Sequence, residues 1–215
     1  MKDLIIIGAS GFGREVAWLV ERINKNNPEW HLIGFIDDDE NLTGKTINGY
    51  PVLGPLNKLS SIDNAWLVCA IGSSNIREGI IHRVNQICDD AQFATLIDPS
   101  VIFSERVKIG VGSIICANSI LTVDVEIGSH VIINLDCTIG HDAILSDFVT
   151  VYPGVNISGI TQIGEGAELG TGSLIIQSKS IGDHSIVGAG AVVIRNLPDN
   201  CTAVGNPAKP IKFRV

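Results

Sequence analysis

Histidine has an ordinary pKa close to neutral pH, so it is the first candidate for a group that accepts a proton during catalysis. The chain contains five histidines. Four of them are expected at a helix–strand junction, on a surface helix or in turns, where a histidine is solvated or locally hydrogen-bonded. These four are His31, His82, His130 and His184. His141 falls at an outward-facing corner of the repeat and is followed by Asp142. A neutral imidazole can accept a proton near pH 7, so this histidine is a candidate for acid–base chemistry.

An aliphatic residue recurs every six positions through the second half of the chain. The series runs without interruption from Ile109 to Val193, and Phe103 and Ile97 extend it backward. The residue four positions later is small or β-branched in every repeat but that of Lys179. Six residues make one flat strand and one turn, and three such units close a triangular coil of 18 residues with the aliphatic residues inside. Neither the period of coiled coils nor that of ordinary strands fits. The repeat therefore predicts a parallel β-helix.

The 18-residue period places residue 159 directly above His141, about 4.8 Å along the axis. That residue is Gly159, which would leave room over the imidazole for a thioester. Its backbone N–H could meet the oxyanion that develops during acyl transfer. A structural glycine at a corner of the coil is the competing explanation. The residue directly after the inward aliphatic residue is also often glycine, and we expect those glycines to adopt a positive φ.

The first part of the chain has the pattern of a strand, a glycine turn and a helix. An apolar run at residues 4–7 precedes the loop GASGFG at residues 8–13, and a helical pattern follows. The backbone N–H groups of such a loop can hold a diphosphate, and Asp37 or Asp38 after the second strand could accept ribose hydroxyls. A third strand ends at residues 72–75. Only one mononucleotide-binding half is present, which favours a nucleotide sugar over NAD. A tight turn without a ligand is the alternative.

The composition excludes several classes of function. The net charge is −8 and there is no run of Lys or Arg, so we expect no nucleic-acid partner. No stretch approaches the roughly 18 apolar residues of a membrane-spanning helix, and the N-terminus does not fit a signal peptide. The five cysteines form no CxxC pair, which predicts reduced thiols and no metal site. We therefore expect a cytoplasmic protein that binds neither membrane nor metal.

Four motifs resemble a known family: GASGFG with its helix, AIGSSNIRE at residues 70–78, GHD at 140–142 with Asn134 upstream, and GNPAKPI at 205–211. The chain resembles the nucleotide-sugar acetyltransferases over nearly its whole length. This family includes UDP-4-amino-sugar and GDP-perosamine N-acetyltransferases and sialic-acid-type O-acetyltransferases. The resemblance implies an α/β plus all-β fold. A Rossmann-like α/β domain at residues 1–92 precedes a left-handed parallel β-helix of hexapeptide repeats with a C-terminal tail at residues 93–215.

The resemblance also implies the activity and the site. The expected enzyme is an acetyl-CoA-dependent N-acetyltransferase of bacterial glycan biosynthesis that acts on a nucleotide-linked 4-amino sugar by direct transfer. His141 would be the general base, with Asp142 beside it. The expected contacts to the nucleotide sugar are Gly8, Ser10, Gly11, Phe12, Gly13, Asp37, Asp38, Gly72, Asn75, Arg77 and Asn134. The expected contacts to acetyl-CoA are Gly159, Thr171, Gly188, Ala189, Asn206, Pro207 and Lys209.

The family further implies a homotrimer in which His141 of one chain faces acetyl-CoA held mainly by the next chain. Two positions depart from the family pattern. Phe12 stands where the glycine loop usually has a histidine, and Thr150 stands where some relatives have a second histidine near the acyl group.

Three other interpretations are weighed against this one. O-acetylation of a sialic acid or related sugar would use the same base. A zinc hydratase of the γ-carbonic-anhydrase type needs three converging histidines, but the residue five after His141 is Ser146. A nucleotide-sugar sensor without activity would have no use for the His141–Asp142 pair. The nucleotide base, the sugar, the acyl chain and the pathway are left open by the sequence.

Overall fold

The apolar runs near the N-terminus form the centre of an α/β module. The computed structural model describes residues 1–214. The strands of this module are β1 (Lys2–Ile7), β2 (Trp30–Ile36), β3 (Thr46–Ile47), β4 (Tyr50–Gly54), β5 (Trp66–Cys69) and β6 (Gln92–Phe93). Its helices are α1 (Gly11–Asn26), a 3-10 helix (Leu56–Ser61) and α2 (Ser74–Ile87). The sheet order is β3-β4-β2-β1-β5-β6, and every pair is parallel except the β3–β4 hairpin.

The central strand of this sheet is buried on both faces. Residues 4–7 of β1 are at most 3 % exposed, as expected for a parallel strand covered by helices on both sides. Helix α1 packs on one face through Val16, Leu19 and Val20, whose spacing forms one apolar stripe. Helix α2 packs on the other face through Ile81 and Val84. The two helices therefore fix the carboxyl ends of β1, β2 and β5 at one edge of the module.

The six-residue repeat forms a three-sided parallel β-helix, as the sequence predicts. Its strands are β7 (Leu96–Ile97), β8 (Ile102–Phe103), β9 (Lys108–Ile109), β10 (Ile114–Ile115), β11 (Ile120–Leu121), β12 (Glu126–Ile127), β13 (Ile132–Ile133), β14 (Thr138–Ile139), β15 (Ile144–Leu145), β16 (Thr150–Val151), β17 (Asn156–Ile157), β18 (Gln162–Ile163), β19 (Glu168–Leu169), β20 (Leu174–Ile175), β21 (Ser180–Ile181), β22 (Ile186–Val187) and β23 (Val192–Val193). A C-terminal hairpin of β24 (Cys201–Val204) and β25 (Lys209–Phe213) follows.

Every third strand of the coil lies in the same sheet. Face 1 contains β7, β10, β13, β16, β19 and β22 and is extended by β24 and β25. Face 2 contains β8, β11, β14, β17, β20 and β23, and face 3 contains β9, β12, β15, β18 and β21. Partners on each face are 18 residues apart, as in Thr138 opposite Asn156. From Ile115 to Val193 the second residue of each strand points inward, and these residues form one continuous buried core; in the first coil Ile97 and Ile109 are partly buried and Phe103 is exposed. We name the turns between faces 1 and 2 edge 1-2, and those between faces 2 and 3 edge 2-3.

The turn geometry corrects one expectation. The positive φ is adopted three residues after the inward aliphatic residue, at positions such as Asp124, Asp136 and Asp142, and not at the glycine that follows it. Those glycines are needed for a different reason. A Cβ on Gly140 would lie 2.5 Å from the nitrogen of Gly159 in the next coil, so close approach of successive coils requires the glycine.

The module covers the outer side of face 1. The outward residues Leu96, Ile114 and Ile132 are at most 1 % exposed and pack into the same core as α1. Strand β6 pairs with β5, so Phe93 belongs to the N-terminal sheet. Of the helices within residues 1–214, none has the length and apolar character that crossing a membrane requires.

Candidate active site

His141 lies on edge 2-3, directly after β14. Its Nδ1 is 2.7 Å from Oδ2 of Asp142, and about half of each side chain is exposed. Asp142 has a φ of 57°, a conformation that aspartate tolerates better than most residues. When Nδ1–H donates to the carboxylate, Nε2 keeps its lone pair and can accept a proton. The local geometry therefore suits a general base.

Gly159 covers the imidazole from the next coil. The Ile160 N–H donates to the His141 carbonyl at 2.8 Å, which fixes the register between the two turns. A Cβ on Gly159 would lie 2.6 Å from Nε2 and 2.7 Å from Cε1 of His141. Gly159 does not adopt a positive φ, so the absence of a side chain serves the space over the ring and not the turn. Its N–H has no hydrogen-bond acceptor among residues 1–214.

Asn134 lies on the other edge. It follows β13 on edge 1-2, and its Oδ1 accepts the Leu135 N–H at 2.8 Å. Six residues, which include β14, lie between Asn134 and His141, so the two residues stand at opposite ends of one strand of face 2. The two side chains therefore point away from different edges of the prism and do not meet within one chain.

The expected acetyl-CoA contacts are divided between the two edges. Thr171 and Ala189 lie in the same column of edge 1-2, where the Gly190 N–H donates to the Thr171 carbonyl at 2.9 Å. Gly188 precedes Ala189 in that turn. Gly159 alone lies on edge 2-3 with His141. The expected acceptor contact of Asn134 and most of the expected acetyl-CoA contacts therefore lie on edge 1-2, whereas His141 lies on edge 2-3.

The C-terminal tail lies at the end of the coil, next to the last turn of edge 1-2. The loop at residues 205–208 contains a cis peptide bond between Asn206 and Pro207. Val192, in the last strand of face 2, donates to Gly205 at 3.0 Å and accepts from Ala208 at 2.8 Å. Asn206, Pro207 and Lys209 are exposed at this end of the coil, beyond Ala189.

The glycine loop closes tightly onto helix α1. Gly8 has a φ of 102°, and a Cβ on Gly13 would overlap the Gly8 carbonyl oxygen. Asp37 stabilises the loop, because its Oδ2 accepts the Ala9 N–H at 2.8 Å. A cavity of about 270 Å³ opens beside this loop, lined by Gly8, Asp37, Asp38 and α2. A larger cavity of about 760 Å³ lies at the opposite, amino end of the sheet, and none of the expected substrate or cofactor contacts lines it.

The remaining loop residues differ in their availability. Ser10, Gly11 and Asn75 are exposed, whereas Phe12 packs against the module core. Asp38 already has partners: it accepts the Leu56 N–H at 2.8 Å and pairs with Arg83 at 2.9 Å. The hydrogen bond from Leu56 and the neighbouring Arg83 hold the pKa of Asp38 below its usual value. A ribose would therefore share this carboxylate with protein groups.

Arg77 is not available to a substrate, which corrects the sequence prediction. Its side chain is only 1 % exposed, and its N–H groups are directed to acceptors within the protein. Arg77 lies in the first turn of α2 on the side that faces the β-helix, so the guanidinium enters the junction and not the nucleotide cavity. Thr150, expected near the acyl group, is buried in the same junction and donates to the Gly72 carbonyl at 2.8 Å. Gly72 therefore contributes to the junction as well.

His130 is also corrected, because it is buried and not solvated. Its ring stacks on Phe148 with centroids 5.3 Å apart and meets the edge of Phe93 at 4.7 Å. Burial, with a contribution from the Arg77 charge, lowers the pKa of His130 to about 4. The sequence contains a signal for this stack, since Phe148 lies 18 residues after His130 and so sits above it in the next coil.

The cysteines and acidic residues form neither a disulfide nor a metal site within residues 1–214. All five cysteines are free thiols. Within residues 1–214 no group of three or more His, Cys, Asp or Glu side chains is arranged to hold a metal ion.

Comparison with known proteins gives a consistent set of relatives. Residues 3–84 match the model of the PglD N-terminal domain family. The chain is 29% identical to a GDP-perosamine N-acetyltransferase from Escherichia coli O157:H7 over 96% of its own length and 95% of the relative's.

Two solved structures share the whole architecture. The acetyltransferase domain of PglB from Neisseria gonorrhoeae FA1090, solved in complex with acetyl coenzyme A, has a TM-score of 0.86 at 32% identity and covers 98% of this chain and 99% of that one. A variant of perosamine N-acetyltransferase from Caulobacter crescentus, in complex with CoA and GDP-perosamine, has a TM-score of 0.87 at 28% identity and covers 99% of this chain and 98% of that one. These matches confirm an α/β module followed by a left-handed parallel β-helix.

Proposed function

From the premise that the chain belongs to the family of nucleotide-sugar acetyltransferases with a hexapeptide-repeat left-handed β-helix, we propose that it transfers the acetyl group of acetyl-CoA to the amino group of a nucleotide-linked 4-amino sugar. The chain is an acyltransferase. A GDP-linked sugar is the first candidate, because the relatives from Escherichia coli and Caulobacter crescentus act on or bind GDP-perosamine. One observation supports the chemistry above all others: the imidazole held by Asp142 beneath the bare backbone of Gly159.

The reaction follows from this arrangement. Nε2 of His141 removes a proton from the amine as its nitrogen attacks the thioester carbonyl. The Gly159 N–H donates to the oxygen of the tetrahedral intermediate, which is most useful where the donor is already in place. Collapse of the intermediate breaks the carbon–sulfur bond, and the thiolate takes up the proton from the imidazolium. Asp142 stabilises the charged ring between these steps. The acetyl group passes directly from sulfur to nitrogen.

The division of the site between two edges supports a composite active site. Asn134, Thr171 and Ala189 share edge 1-2, while His141 and Gly159 share edge 2-3. Three coils separate Leu135 from Ala189, a rise of about 14 Å along the axis. An extended pantetheine arm has nearly the same length, roughly that of four to five residues. In a closed ring of three chains, edge 2-3 of one chain would face edge 1-2 of the next and complete the site.

Subunit mixing tests both the base and the composite site. His141→Ala removes the base. Ala189→Trp fills the space beside the expected acetyl-CoA contacts on edge 1-2, so each variant alone should be inactive. When equal amounts are co-expressed, about three-quarters of the trimers are mixed, and each has one intact site of three. Activity should therefore return to about a quarter of wild type.

The assay follows CoA release with UDP- and GDP-linked 4-amino sugars, CMP-sialic acid and free sialic acid. A mixture that stays inactive would show that each site lies within one chain. Activity in His141→Ala alone would exclude His141 as the base, and turnover of hydroxyl acceptors only would replace N-acetylation by O-acetylation.

A further inference from the structure

Arg77 links the α/β module to the β-helix through its whole guanidinium group. On the module side, Nη1 donates to the carbonyls of Ile71 and Gly72 at 2.7 and 3.1 Å. On the coil side, Nε donates to the His130 carbonyl at 2.9 Å, and Nη2 donates to the Phe148 carbonyl at 2.6 Å. Nη2 also donates to Thr150 Oγ1 at 2.9 Å. One planar group therefore fixes three segments of chain at once, which the fork geometry of arginine allows and that of lysine does not.

This arrangement is unusual because no carboxylate of residues 1–214 pairs directly with the buried charge. The acceptors named above are four backbone carbonyls and one hydroxyl. Burial lowers the pKa of Arg77 to about 10, so the side chain stays charged at neutral pH. An apolar side chain could fill the same space without the desolvation cost of a charge. Packing alone does not explain Arg77, whereas the directions of its hydrogen bonds do.

A second link runs parallel to the first. The Ser74 N–H and hydroxyl both donate to Oε1 of Glu168 at 2.9 Å, and the Ser74 hydroxyl also approaches the Gly166 carbonyl at 2.7 Å. Oε2 of Glu168 accepts the Tyr152 hydroxyl at 3.2 Å. Burial and the adjacent Glu168 raise the pKa of Tyr152 to about 12, so its proton is held in this bond.

Both links end on the same short loop. The residues held are Ile71, Gly72 and Ser74, which connect β5 to α2 at the carboxyl edge of the sheet. Ile71 and α2 also line the 270 Å³ cavity beside the glycine loop. The coil residues that hold them belong to face 1 and to the turns that enter it. The position of this cavity relative to edge 1-2 is therefore set by two polar links and not by apolar contact alone.

We propose that Arg77, supported by the link from Ser74 to Glu168, is a positioning residue that sets the distance between the bound nucleotide sugar and edge 1-2 of the β-helix. The proposal rests on the proposed function, since it assumes that the cavity beside the glycine loop holds the nucleotide. Arg77 itself touches no substrate. Its effect is transmitted by the 71–74 loop, whose displacement by 1 Å would move the acceptor amine away from the thioester.

The test uses variants of the full chain. Arg77→Lys keeps the charge but not the fork. Ser74→Ala removes the hydroxyl from the second link, keeps the backbone N–H bond to Glu168 and leaves Arg77 intact. Val84→Ala is the matched control, because Val84 is fully buried in the core on the same helix and takes part in neither link. The thermal unfolding midpoint of each variant is measured first, and kinetics are recorded well below the lowest midpoint. KM is determined separately for the nucleotide sugar and for acetyl-CoA.

Arg77→Lys should lower kcat/KM for the nucleotide sugar by about 100-fold, the usual effect of a misplacement near 1 Å. Ser74→Ala should show the same pattern to a smaller extent. KM for acetyl-CoA should stay within about twofold of wild type, because that substrate is bound by the coil. Val84→Ala should lower the unfolding midpoint and leave both KM values unchanged. Arg77→Lys with a lower midpoint but unchanged kinetic constants would overturn the proposal, as would an equal rise in both KM values.

A second measurement separates this proposal from the proposed function. If the wild-type chain turns over none of the candidate sugars, the proposed function fails, and amide hydrogen exchange still reports on the links. Exchange at residues 71–75 should be faster in Arg77→Lys than in Val84→Ala at equal distance from the unfolding midpoint. Equal exchange in the two variants would refute the positioning role without reference to any substrate.

Discussion

Gly159→Ala should abolish most of the activity and little of the stability. A Cβ at this position would lie 2.6 Å from Nε2 of His141, whereas an ordinary contact is at least 3.4 Å. The ring must therefore move by about 0.8 Å, and misplacement of a catalytic group by about 1 Å costs roughly 100-fold in rate. The expected loss in transition-state stabilisation is about 2.7 kcal/mol.

The change in stability should be small for two reasons. Gly159 does not have a positive φ, so alanine fits its backbone without strain. His141 is 54% exposed and can turn into solvent. The free energy of unfolding should therefore change by less than about 1 kcal/mol. Gly79→Ala is the control, because a Cβ at Gly79 on α2 meets no atom within 4 Å.

The assay combines both substitutions in a double-mutant cycle. CoA release is measured for Gly159→Ala, His141→Ala and the double variant, with urea titration of each. If Gly159→Ala acts by displacing the imidazole, it should add nothing in the His141→Ala background. Full activity in Gly159→Ala would refute the arrangement of base and bare backbone. Additive losses would show that the glycine acts independently of His141.

Two further predictions concern stability. Because burial and the Arg77 charge lower the pKa of His130 to about 4, the unfolded chain binds a proton near pH 6.5 that the folded chain does not bind until about pH 4. The free energy of unfolding should fall by about 3 kcal/mol across that interval; urea titrations at its two ends should show a smaller fall for His130→Phe, and an equal fall would contradict the assignment. Burial alone would raise the pKa of Asp98, but hydrogen bonds from Arg22 and Ser100 outweigh it and lower the pKa, so its contribution is present above about pH 4 and lost below. Asp98→Ala should cost about 2 kcal/mol at neutral pH, less than a fully buried pair because Arg22 is one-third exposed, and an unchanged urea midpoint would show that the 2.9 Å contact to Arg22 does not stabilise the junction.

The sequence by itself determined the β-helix and the glycine that stacks on His141. A repeat of six residues is read directly, because each inward side chain stacks on its equivalent 18 residues away. The same arithmetic places Gly159 over His141 and Phe148 over His130, although only the first pair was predicted. The strand–loop–helix pattern likewise predicted β1, the glycine loop and α1, since these contacts are local in the chain.

The tertiary structure decided how the two modules meet. The repeat does not show which face is covered, because outward apolar residues occur on face 1, as at Ile114 and Ile132, and also on the exposed faces, as at Ile120 and Ile144. The sequence placed Arg77 in a substrate motif, but its side chain is used within the protein, and its hydrogen bonds to the coil go to residues 53 to 73 positions away. Contacts over such separations depend on the docking of two preformed modules and have no period in the sequence. The separation of Asn134 from His141 is likewise a property of the closed prism, because only a folded coil assigns two turns seven residues apart to different edges.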